Sequence, residues 1–311
     1  MEEDIIRAGL SELKRKSEVF GDDAGAFRAG DGWLVITNDM LVESTDVVAS
    51  MSPEDVGFRV VTMNASDLAA MGARPLYFAF SVGLKESDER SARKLFRGIQ
   101  RGLEMYGMSL ISADTNQSNE LILDGIAVGM AESLMLRKNA RPGELVCVTG
   151  ELGKPLSALL IELKGMKADE GLRKKLYEKF LRPVARVEEG VKLTDLSRCA
   201  IDISDGMVKE LRAISEASGA GIVIWEGELP ISDEVREFCR INGLDEHLIA
   251  MNSGEEYELI FTIDRDKISS LEIEFTVVGE VVRGKGVWIR RGEKTEQVRD
   301  FSWRHFSRGL L

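Results

Sequence analysis

Asp202, Ser204 and Asp205 stand together in "CAIDISDGMVKEL", residues 199–211, where an apolar strand-like run gives way to a helix-like one. Helix capping accounts for Asp205, because an acid or hydroxyl at a helix start accepts from free N–H groups and faces the positive end of the dipole. It does not account for Asp202, which sits within the apolar part, where an unpaired carboxylate is costly. The same placement recurs along the chain. Asp22 and Asp23 lie in "VFGDDAGAF", Asp39 ends "WLVITND", Asp67 interrupts "VVTMNASDLAAMGA", and Asp114 follows "SLISA". Taken singly, Asp39 or Asp114 reads as a turn former. Asp67 is harder to explain that way, since a helix interior disfavours Asp. Taken together, acids set where burial is expected need compensating charge, and Lys and Arg are scarce in these segments. A hard divalent cation supplies it, because magnesium takes oxygen ligands and shares them with phosphates and water. Thr37, Asn38 and Asn64 add neutral oxygens at the same places. Aspartic-protease or glycosidase chemistry needs only a pair of acids. The pattern is that of a metal–phosphate site.

The rest of the composition narrows the class. The chain has 311 residues, enough for two domains, with 44% hydrophobic and 30% charged residues, as in a soluble globular protein. The net charge of −12 argues against nucleic acid as a partner. No apolar run is long enough for a membrane span, and "MEEDIIRAGL" lacks the features of a signal peptide. Cys147, Cys199 and Cys239 are scattered and His247 and His305 are the only histidines, which argues against zinc and fits a reducing cytoplasm. The one phosphate-loop lookalike fails on spacing: Gly150 and Gly153-Lys154 are too close, and Pro155 stands where Ser or Thr would hold magnesium.

These acids must be positioned by alternating strands and helices. The periodicity predicts helices over 4–15, 53–71 and 91–106, and strands over 33–38, 75–84, 108–113 and 121–131. "NARPGE", 139–144, marks a boundary between a domain of residues 1–138 and one of residues 139–311. The second half reads as helices at 155–165, 172–181, 206–218 and 232–242. Strands are expected at "LVCVTG", 199–203, "GIVIW", "YELIFTI", 275–282 and 286–291. Strands and helices mix without a strict alternation, so the class is α/β or mixed α+β.

Read in order, "FGDDAGAF", "TNDMLVESTDV", "MNASDLAAMGARPLY", "SADTNQS", "RPVARVEEG", "AIDISDGMVKEL" and "SGEEYELIF" resemble the thiamine-monophosphate kinase family. This is a branch of the aminoimidazole-ribonucleotide synthetase and selenophosphate synthetase superfamily, and the likeness runs from about Phe20 to His305. The resemblance implies a two-domain PurM-like fold, a homodimer whose N-terminal strands form a barrel across the two subunits, and ATP-dependent phosphorylation of thiamine monophosphate. It implies magnesium ions held by Asp23, Thr37, Asn38, Asp39, Asp67, Asp114, Asp202 and Asp205, with Asp39, Asp67 and Asp205 central to catalysis. ATP contacts map to Ala113, Asp114, Arg137 and Ser204, and acceptor contacts to Asp46, Glu255 and Trp303. Three departures stand out: "SADTN" where the family carries GGDTT, "SGEEYEL" for GGEDYEL, and Asp46 where His is common. None removes a metal carboxylate; two fall on the acceptor side. Residues 1–20 hold no Cys, against a selenophosphate synthetase, and "FSRGLL" is not the cysteine ending of the hydrogenase-maturation relative. An aminoimidazole-ribonucleotide synthetase-like enzyme and a non-catalytic magnesium–nucleotide binder remain as alternatives.

Overall fold

Strand β2, Gly32–Val42, shows how the first half is built. Val35, Thr37 and Leu41 are buried on one face, while Ile36, Asn38 and Met40 are exposed on the other. In the computed structural model, which describes residues 18–85 and 88–298, β2 belongs to a five-stranded sheet of order β1-β2-β5-β3-β4. Its other strands are β1 (Gly25–Ala29), β3 (Arg74–Leu84), β4 (Ser109–Gln117) and β5 (Ile122–Ala131). Among the described residues of this sheet, only β3 and β4 run parallel. A parallel pair needs a crossover, which the helix Glu89–Tyr106 provides.

The short helix α1 (Glu43–Asp46) follows β2 and leads to α2 (Pro53–Ala70); Glu89–Tyr106 is α3. Ser52 and Asp55 cap α2 reciprocally, and Pro53 occupies its first turn. Helix α2 is buried on almost every side, because it packs on the five-stranded sheet, on α3 and on elements of the second half. At its crossing with α3 the backbones nearly touch: a Cβ on Gly98 would lie 2.0 Å from the Glu54 carbonyl oxygen. Only glycine permits that approach.

The second half forms a seven-stranded sheet of order β12-β11-β8-β10-β6-β9-β7. In chain order its elements are β6 (Leu145–Val148), α4 (Lys154–Lys164), α5 (Glu170–Leu181), α6 (Val187–Leu193), β7 (Ser197–Asp202), α7 (Met207–Ser218), β8 (Gly221–Trp225), α8 (Asp233–Asn242), α9 (Glu246–Asn252), β9 (Leu259–Ile263), β10 (Thr276–Val282), β11 (Gly286–Arg291) and β12 (Lys294–Gln297). The core strands β6 and β9 are buried along their whole length.

The strands and long helices expected from periodicity are present, with ends moved by a few residues. Elements absent from that expectation are short: β1 buries only Ala26, β12 is exposed throughout, and α6 and α9 are seven residues each. Such lengths carry too few periods to read. The expected helix over 4–15 lies outside the described residues. Both sheets combine parallel and antiparallel pairs and pack with helices, so the expected mixed α/β class holds.

Candidate active site

Four segments deliver the acids. The turn before β1 carries Asp22 and Asp23, β2 carries Thr37 and Asp39, the last turn of α2 carries Asp67, and the end of β7 carries Asp202. Carboxylate oxygens of Asp23, Asp67 and Asp202 all lie within 4.8 Å of one another. The Thr37 hydroxyl donates to Asp67 Oδ2, and the Ser66 hydroxyl to Asp202 Oδ2 at 2.6 Å. Arg137, just past the first sheet, pairs with Asp23 and with Asp22. Asp23 Oδ2 is buried with no partner among the described residues.

The charges are under strain. Burial, then Asp205, Asp124 and Asp23, pushes Asp39 up to about 6. Burial, then Asp23, pushes Asp202 up to about 8, although the Ser66 hydroxyl pulls the other way. Asp67 is raised well above the usual carboxylate range by burial and by Asp39, Asp202 and Asp23. Burial opposes the charge on Arg137, but Asp23 beside it more than compensates. One guanidinium cannot neutralise this group. An oxygen-only donor set, an unsatisfied buried carboxylate oxygen and mutually repelling acids fit a hard divalent cation.

Asp39, Asp67, Asp202, Ser204 and Asp205 also line a cavity of about 780 Å³. Much of the remaining wall is apolar, including Met51, Leu156, Leu159, Phe180, Leu248 and Ile249. Asp46 and Glu255 line it too, with Arg59 the one basic residue in the described lining. Asp46 is fixed by Val42 N–H at 2.7 Å and by the Thr45 hydroxyl at 3.0 Å. Asp205 does not cap the following helix as its position suggests, because Gly206 is the N-cap and no side chain bonds there; it pairs with Lys209, and its own N–H donates to Glu210 at 3.3 Å. The "SGEEYEL" segment hydrogen-bonds back onto the loop after β7: Glu255 N–H donates to the Ser204 carbonyl at 2.7 Å, and Tyr257 N–H to that of Ile203 at 3.0 Å. Glu255 and Tyr257 hold φ of 60° and 52°, a region uncommon for residues with a Cβ and often found at functional sites.

Several expected residues lie apart from this group. Strand alternation turns Asn38 to the face opposite Thr37 and Asp39, where its side chain bonds Asp124. Ala113 and Asp114 lie on β4, exposed along its whole length, in register with Phe80 and Ser81. Trp303 lies outside the described residues. The phosphate-loop lookalike is closed to phosphate: Gly153 N–H donates to the buried carboxylate of Glu256.

Other residues at the site had not been singled out. Glu210 is buried and pushed well up by burial and by Asp202 and Asp205; as the last acid of "SDGMVKEL" it reads as an exposed helix charge. Asp124, in the alternating "ILDGIA", lies on the opposite face with Asn38 and reaches the group only through its charge, which helps raise Asp39. Arg59 had no signal beyond being one cation in an apolar helix.

Comparisons with known proteins place the chain in a family. Residues 21–131 match the family described as AIR synthase related protein, N-terminal domain. The thiamine-monophosphate kinase of Pyrococcus horikoshii is 46% identical over 309 residues, covering 99% of this chain and 97% of that protein. That of Aquifex aeolicus is 30% identical over 302 residues, covering 96% and 97%. A solved structure of AaThiL complexed with AMPPCP and TMP superposes with a TM-score of 0.88 at 29% identity, covering 98% of this chain and 96% of that one. The chain belongs to the thiamine-monophosphate kinase family.

Proposed function

We propose that this protein transfers the γ-phosphate of ATP to thiamine monophosphate, giving thiamine diphosphate and ADP. The observation that carries the reading is that the gathered acids and the apolar walls share one cavity. Such a space suits an acceptor with an anionic phosphate and flat organic rings. The AaThiL complex with AMPPCP and TMP supports it, AMPPCP being an ATP analogue.

An acceptor phosphate oxygen needs no side-chain nucleophile. It attacks the γ-phosphorus in line, forming one P–O bond as the bond to the ADP oxygen breaks. The protein's work is positioning and charge. Asp23, Asp67 and Asp202, with Thr37, Asp39 and Asp205 nearby, would hold magnesium, which would supply the positive charge that lets two anions meet in an acidic protein. Arg137 keeps Asp22 and Asp23 in place beside them. Ser204, in the loop after β7, faces the cavity where ATP would lie, and the apolar wall keeps water from competing as acceptor.

The homodimer belongs to the same reading. The face of the first sheet away from α2 and α3 exposes Ile36, Met40, Tyr77 and Ile126, and β4 adds Leu110 and Ile111. A second copy laid on this surface would form the barrel and cover β4, so the contributions of Asn38, Ala113 and Asp114 depend on that assembly. Residues 1–138 would then make the dimer-forming, ATP-binding domain and 139–311 the domain beside it.

The test is to incubate the protein with Mg-ATP and a panel of thiamine and nucleotide monophosphates, then to separate the products by chromatography. Thiamine diphosphate and ADP in equal amounts are expected. ATP binding with no diphosphate from any acceptor would overturn the reading in favour of a nucleotide-binding protein without turnover.

A further inference from the structure

Arg59 is only 1% exposed, yet it lines the cavity from the middle of α2. Its guanidinium donates to the Phe180 carbonyl oxygen and lies over the Phe180 ring, 5.1 Å from the centroid. It also forms an ion pair with Glu255 Oε2. The other Glu255 oxygen accepts from the Tyr257 hydroxyl at 3.0 Å. Both carboxylate oxygens are therefore held, one by a buried cation and one by a buried phenol, on a segment whose backbone adopts positive φ at both residues. A side chain on a strained loop, clamped at both ends, is preorganised rather than free to swing.

The charges identify what this clamp serves. Arg59 has Asp46 and Asp55 as further electrostatic neighbours, and Asp46 lines the same cavity. Asp55 is paired with Arg182, which leaves Arg59, Glu255 and Asp46 with one net negative charge. A thiazolium ring carries one positive charge, and an aminopyrimidine offers N–H donors. Without Arg59, Glu255 would lose the partner that sets its direction.

Resting on the thiamine reading above, we propose that Arg59 and Tyr257 are positioning residues that fix Glu255 to recognise the cationic, ring-bearing half of the acceptor. They select the acceptor and leave nucleotide binding alone.

The experiment measures KM for thiamine monophosphate and for ATP in Arg59→Met, Arg59→Lys, Tyr257→Phe, Glu255→Gln and the double variant Arg59→Met/Glu255→Gln, with thermal melts of each. Losing the charged partner should raise the acceptor KM by about ten- to a hundredfold, and losing the phenol by about fivefold, the range for charged and neutral hydrogen bonds. KM for ATP should stay within about twofold, the same hydrogen-bond scale setting that as negligible. Arg59→Lys should recover part of the loss, and Arg59→Met should add little once Glu255 is already Gln. Equal rises in both KM values, or full additivity in the double variant at wild-type melting temperature, would overturn the proposal. If Arg59→Met melts early, Tyr257→Phe carries the test, and an unchanged acceptor KM there is equally fatal. A wild-type protein that does not accept thiamine monophosphate removes the functional reading itself, and this inference with it.

Discussion

Replacing Asp202 by Asn should stabilise the metal-free protein while destroying its activity. Asp202 ionises near 3.8 in an unfolded chain and is pushed up to about 8 in the fold, first by burial and then by Asp23. An acid with a raised folded-state pKa favours folding while protonated. That contribution is complete below the unfolded value and is lost as pH rises through the folded one. At 1.36 kcal/mol per unit, the rise of about four units costs the cation-free fold at most about 5 kcal/mol at pH 8, and far less near pH 5. Asn cannot ionise, and its oxygen can still accept from Ser66. The assay is urea unfolding at pH 5 and pH 8, in chelator and in magnesium. In chelator, Asp202→Asn should match or exceed the wild type, by a margin that widens from pH 5 to pH 8. Magnesium at a hundredfold its dissociation constant should add about 2.7 kcal/mol to the wild type and much less to the variant. A variant less stable than wild type at pH 8 in chelator, or one that keeps the full magnesium effect, would refute the reasoning.

Three further outcomes follow from the same geometry. Asp67→Asn should lower turnover by at least about a hundredfold with an unchanged circular-dichroism spectrum, since it removes charge from the centre of the group; near-normal turnover would count against the assignment. Excess chelator should abolish diphosphate formation, with recovery when magnesium is restored, as followed by chromatography. Gly98→Ala should destabilise the fold by roughly 1–3 kcal/mol in urea titrations, because its Cβ would press on the Glu54 carbonyl.

How much of this was legible depends on what a residue's neighbours in sequence reveal. Asp67 and Asp202 stood out in the sequence because each breaks an apolar run, and the structure brings both together with Asp23. Asn38 was not separable from Thr37 and Asp39 until the strand's alternation was fixed in space. Arg59 was invisible: α2 is packed on nearly all sides, so it has no polar stripe against which one charge could look misplaced. Glu210 failed for the opposite reason, lying on a helix where a charged neighbour, Lys209, made it look like solvent-facing surface. The clamp on Glu255 depends on positive φ at two residues with side chains, and nothing in "SGEEYEL" announces that.

The central claim is that separate stretches of chain bring their carboxylates together to hold divalent cations against ATP. Anomalous diffraction at the manganese edge, from crystals grown with Mn2+ and a non-hydrolysable ATP analogue, tests it directly. Manganese peaks ligated by Asp23, Asp67 and Asp202 are the predicted result; bound analogue with no peak at these carboxylates would contradict it.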